Sequence, residues 1–127
     1  MDIREVSANS LSFIGDAIYT LRVREFFIEN KYQASNSLHR MCTRYNSAAG
    51  QMKTFNRMKE AGFFSEEELA VFKRGRNNIR HIPKNGDRLS YEVASGLEAI
   101  AGYLYLTNQD RMEEFFKEVF KGGLMNE

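Results

Sequence analysis

Leu11, Ile14, Ile18 and Leu21 recur at steps of three and four, and that period returns in nearly every apolar stretch of the chain. Side chains spaced this way share one face of a helix, whereas a half-buried strand would alternate in twos. No segment alternates convincingly, so the reading is all-α. Ser7, Asn9 or Ser10 offers a cap for a first helix ending near Asn30. A second helical region runs from Ser35 to Ala61 with a break near Asn46, and Gly62 supplies its stop. Ser65 with Glu68 matches a capping box for a short third helix that turns Leu69, Val71 and Phe72 inward and loosens at Gly75-Arg76-Asn77-Asn78. A buried helix from Leu89 to Leu106 follows, then an amphipathic one from Asn108 to Lys121 that stops at Gly122-Gly123. With 127 residues, 43% of them apolar, one domain over 1–127 around one core is expected.

Two acids interrupt the apolar text. Asp16 lies in Phe13-Ile14-Gly15-Asp16-Ala17-Ile18, and Glu98 lies in Gly96-Leu97-Glu98-Ala99-Ile100-Ala101-Gly102. A carboxylate on a core-facing stretch is costly unless something satisfies it, and a shared metal ion would satisfy both. Each glycine inside a helix costs about 1 kcal/mol relative to alanine. Gly15, Gly96 and Gly102 therefore point to another helix or a ligand coming very close.

Charge is uneven. Lys73, Arg74, Arg76, Arg80, Lys84 and Arg88 stand against the lone acid Asp87, a local +5 in a chain whose net charge is +1. Pro83, Asn85-Gly86 and the missing apolar period place an exposed loop from Asn78 to Arg88, and the basic patch is expected there. Cys42 is the single cysteine, which excludes an intrachain disulfide and a cysteine-based zinc finger. No N-terminal apolar run resembles a signal or membrane segment, so no membrane partner is expected and the compartment reads as cytoplasmic. His39 and His81 lack metal-ligand spacing and read as surface or loop residues.

Ser7-Ala8-Asn9-Ser10-Leu11-Ser12-Phe13-Ile14-Gly15-Asp16-Ala17 resembles the signature helix of ribonuclease III domains. Glu98-Ala99 with Gly102, Tyr105 and Leu106 resembles that family's second acidic helix, in the expected order. Phe72-Lys73-Arg74-Gly75-Arg76-Asn77 and Pro83-Lys84-Asn85 look like the stretch specific to the short bacterial branch called Mini-ribonuclease III. The resemblance implies a helical endonuclease domain that cleaves double-stranded RNA, with precursor 23S ribosomal RNA as its substrate and ribosomal proteins as possible helpers. It implies Asp16 and Glu98 as catalytic and metal-holding residues, with Mg²⁺ as cofactor and Mn²⁺ as a substitute. It also implies a homodimer in which the ring at Phe13 inserts into the partner subunit. Larger members carry further acids where this chain has Asn9, Ser12 and Ser95, so serine hydroxyls are expected to hold water or metal-bound water there. Larger members also carry a separate duplex-RNA-binding domain, for which there is no room here. Arg74, Arg76, Asn77 and Lys84 are the candidates to grip RNA in its place. The missing acids keep open a second reading, a non-catalytic duplex-RNA-binding or ribosome-assembly module on the same fold. A helical adaptor that binds protein is a third.

Overall fold

The structure is a computed structural model that describes residues 1–30, 35–78, 82, 84 and 86–121. Among these it holds a 3-10 turn, Ile3–Glu5, and the helices α1 (Ala8–Glu29), α2 (Ser35–Asn46), α3 (Ala48–Glu60), α4 (Glu66–Asn77), α5 (Arg88–Thr107) and α6 (Gln109–Val119), with no strand. The all-α expectation holds. His81 and the Gly122-Gly123 stop lie outside the described residues, as do Arg80, Pro83 and Asn85 of the expected loop.

Local sequence explains most boundaries. Ser7 accepts from the backbone N–H of Ser10, Ser47 from Gly50, and Ser65 with Glu68 closes a full capping box, so three helix starts have their free donors satisfied. Ser47 is also what divides the second helical region at Asn46. Gly62 ends α3 with a φ of 73°, a conformation that needs no Cβ. The last helix stops at Val119, short of the expected Lys121. Arg57 on α3 caps it by donating to the carbonyls of Glu118 and Val119.

α5 is the axis of the bundle. Leu97, Ala99, Ile100 and Ala101 are fully buried, with α1, α3, α4 and α6 packed around them. The expected close approaches occur at its glycines. A Cβ on Gly102 would overlap the Leu11 carbonyl of α1, and a Cβ on Gly96 would meet the Phe72 ring of α4 within 2.6 Å. The face that α1 turns inward is Leu11, Gly15, Tyr19, Val23 and Phe27. Leu21, which the three-and-four spacing placed on the core side, is instead 53% exposed. It belongs to a second, outward apolar stripe that also carries Phe13 and Ile28. Away from α5, the Arg111 guanidinium ties α6 to α4 and the turn before it. It donates to both oxygens of buried Glu68 and to the Phe63 carbonyl, and it lies 4.0 Å above the Phe63 ring.

Candidate active site

The crossing of α1 and α5 builds the site. With Gly15 and Gly102 letting the two backbones touch, the residue after Gly15 is carried to the α5 turn that holds Glu98. Asp16 and Glu98 meet there. The Glu98 carboxyl is pushed up to about 8, by burial first and by the neighbouring charge of Asp16 second, against a donated bond from Gln51 that pulls the other way. The Asp16 carboxyl is near enough that its contact also favours the protonated form of Glu98.

One detail departs from the expectation of two buried acids. Glu98 is half-buried, but Asp16 is exposed, because the surrounding apolar residues Phe13 and Leu21 face outward with it. The desolvation cost therefore falls on Glu98 alone, and Asp16 presents its oxygens to solvent.

Ser12 and Ser95 also lie together, with their hydroxyl protons directed into the protein. Ser12 Oγ donates to the Ser95 carbonyl at 2.9 Å and lies 3.3 Å from Ser95 Oγ, while Ser95 Oγ donates to the Gly75 carbonyl at 3.0 Å. The donated protons staple α1, α5 and α4. Asn9 is exposed.

The basic residues sit differently from the loop reading. α4 continues through Asn77, so Arg74, Arg76 and Asn77 occupy its last turns, where cations complement the negative end of the helix dipole. Gly75 between the arginines seats that end on α5, since a Cβ there would meet Ala99 and the Ser95 carbonyl. Arg74 is exposed and donates to the Val6 carbonyl, and Arg76 is half-buried with its guanidinium 5.9 Å from the Phe72 ring centre. Lys84 is exposed in the turn before α5. Arg88, the last of the run, opens α5 and pairs with Glu92 at 2.7 Å. Half of the run, Lys73, Arg74 and Arg76, is thus on a helix end braced against the helix that carries Glu98.

Sequence reasoning missed Gln51. It is 2% exposed on α3, and its Nε2 donates to Glu98 Oε2 at 3.2 Å and to the Asn46 carbonyl at 3.3 Å. The signal was present in the spacing of Gln51, Thr54, Phe55 and Met58, a core-facing period in which two members are polar.

The donor chemistry suits a hard divalent cation. The oxygens at hand are two carboxylates, one of them facing solvent, with no sulfur among them, and a dication would offset the burial and the Asp16 charge that keep Glu98 protonated. Among the described residues no group of three or more His, Cys, Asp and Glu side chains converges on one point. Any ion here would complete its shell with water and phosphate, as Mg²⁺ commonly does with one or two carboxylates.

Residues 9–109 match the model of the ribonuclease III domain. The chain belongs to the ribonuclease III family. It is 38% identical over 122 residues to the Mini-ribonuclease 3 of Enterococcus faecalis, covering 94% of this chain and 92% of that protein. The Mini-ribonuclease 3 of Streptococcus pneumoniae is 36% identical over 115 residues, covering 89% and 90%. Among solved structures, protein FN1578 from Fusobacterium nucleatum superposes with a TM-score of 0.77 at 30% identity, over 93% of this chain and 92% of that one. The match includes both acidic helices, and membership makes this ribonuclease III family chain an endoribonuclease. No helix among the described residues is long and apolar enough to cross a membrane.

Proposed function

We propose that this ribonuclease III family member cuts double-stranded RNA at the Asp16 and Glu98 pair with Mg²⁺ bound between them, and that Mn²⁺ substitutes. The observation that carries the reading is the meeting of two carboxylates, from helices far apart in sequence, beside solvent and at a cost that burial of Glu98 makes plain. Bound there, the dication would make water nucleophilic near neutral pH and neutralise charge on the phosphate and the departing 3′ oxygen. Exposed Asp16 and half-buried Glu98 are the residues that would hold the ion. Arg74, Arg76, Asn77 and Lys84 bind the phosphates and 2′-hydroxyls of A-form RNA, reading shape more than sequence.

The working unit is a homodimer. Phe13 is 84% exposed and lines an open groove of about 540 Å³ with Ile14, Asp16, Ala17, Thr20, Leu21 and Arg24. A phenyl ring on an outward apolar stripe is poorly placed in water and well placed in a matching groove of a second copy. Two-fold symmetry then presents one acidic pair to each strand of a duplex. The substrate we assign is the precursor of 23S ribosomal RNA, with ribosomal proteins assisting, and the compartment is the cytoplasm.

Incubation of the purified protein with duplex RNA and Mg²⁺, followed by mapping of product ends, tests this reading. Staggered cuts on both strands that need metal and both acids support it. Binding without metal-dependent cutting overturns it in favour of a non-catalytic module.

A further inference from the structure

Gln51 is a buried side chain that the chemistry above does not use. Its amide has two N–H donors and an acceptor oxygen to satisfy in a nearly dry place. Nε2 reaches two acceptors, Glu98 Oε2 and the Asn46 carbonyl, while Oε1 has no hydrogen-bond partner among the described residues. The Asn46 carbonyl can only accept, so it holds the amide with Nε2, not Oε1, on its side. An apolar side chain of equal volume would pack α3 against α5 without leaving an oxygen unpaired. The mount is rigid. Asn46 ends α2, Ser47 caps α3, and Gly50 lies so close to the Arg44 carbonyl that a Cβ there would overlap it.

We propose that Gln51 is a positioning residue for the cleavage site: its donation to Oε2 fixes the Glu98 rotamer so that the carboxylate meets Asp16 in the geometry that holds a divalent cation. Glutamate has three side-chain torsions, and a half-buried carboxylate without this anchor would be free to swing toward solvent or away from its neighbour. The bond from α3 removes that freedom before the ion arrives. Gln51 thereby sets the metal affinity of the site without touching the metal. The inference rests on the assignment of Asp16 and Glu98 as the metal-holding pair.

The test is Mn²⁺ titration of the RNA-free protein, followed by water-proton relaxation, for wild type, Gln51→Met and Asp16→Asn, each with its thermal midpoint. Methionine keeps the volume and removes the donor. Gln51→Met should weaken Mn²⁺ binding by roughly tenfold or more, as losing the hydrogen-bond partner of a metal ligand commonly does. RNA affinity without metal should be unchanged, and cleavage should recover toward wild type as Mn²⁺ is raised. A folded Gln51→Met protein that binds Mn²⁺ like wild type overturns the inference. If Asp16→Asn also binds like wild type, the metal assignment itself falls. Should Gln51→Met not fold, the side-chain amide resonances of Gln51 in the wild type decide. They should move as Mg²⁺ binds, and resonances unmoved at saturation would overturn the proposal.

Discussion

Gly15 on α1 lies against the carbonyl oxygen of Glu98 on α5, so closely that a Cβ at position 15 would overlap that oxygen. The contact is backbone to backbone, which leaves no flexible side chain to give way. Because Asp16 follows Gly15 directly, the same contact that joins the helices also sets how far apart the two carboxylates stand.

Gly15→Ala should therefore harm both stability and chemistry. Overpacking of a tight core commonly costs about 1–3 kcal/mol, and here the strain is relieved only by moving α1 off α5. Thermal denaturation should show the loss, and cleavage should fall further than the unfolded fraction explains. An alanine variant with wild-type activity would show that the acids do not depend on this crossing.

Asp16→Asn and Glu98→Gln should each lower the cleavage rate by about 10³-fold or more, the worth of several kcal/mol of charge stabilisation in the transition state. Neither should reduce duplex binding in metal-free buffer. Single-turnover rates and binding isotherms on one RNA check both halves.

The metal-free protein should become less stable as pH rises. Below 4.5 Glu98 is protonated in both folded and unfolded chains, so it contributes no difference. Above 4.5 the unfolded chain releases the proton, while the folded one retains it until about 8. Unfolding is favoured across that window and the trend then levels off. The thermal midpoint should fall from pH 5 to pH 8, Glu98→Gln should remove this component of the slope, and Mg²⁺ should raise the midpoint most at the alkaline end. A wild-type profile parallel to that of Glu98→Gln would contradict the electrostatic account.

Neutralising Arg74 and Arg76 should weaken RNA binding and reduce the log–log salt slope by roughly one unit per lost phosphate contact. Stability should change little, since Arg74 gives up an exposed bond to the Val6 carbonyl and Arg76 a distant ring contact. An unchanged slope would remove both residues from the RNA surface.

Phe13→Ala should shift the protein toward monomer in sedimentation and make cleavage steeply dependent on protein concentration. With one acidic pair per monomer, residual products should be nicks in one strand. A variant that stays dimeric would place the interface elsewhere.

The helices and their meeting points were legible in sequence because caps, glycines and apolar spacing agree at each level. Gly15, Gly96 and Gly102 announced close contacts that proved to be with α5, α4 and α1 in turn. The exposure of Asp16 was not legible. α1 is apolar on two faces, one for the core and one facing outward, so an acid between Phe13 and Ile18 reads as buried when it is not. The basic run misled for a related reason. Gly75 looked like a helix breaker, yet it is the residue small enough to let α4 continue across α5. Gln51 stayed hidden because its partner lies on another helix, and single-chain periodicity carries no information about what faces a core position.

The serine staple has a mechanical consequence. Ser12 and Ser95 are neutral, so the joint they make with the Gly75 carbonyl holds at any metal concentration and needs no counter-ion. Through it the α4 turn that carries the arginines flanking Gly75 is tied to the α5 turn one step before Glu98. A phosphate seated on those arginines would lie at a set span from the scissile bond, so the bundle would act as a ruler along the duplex, measuring where to cut by length and not by letters.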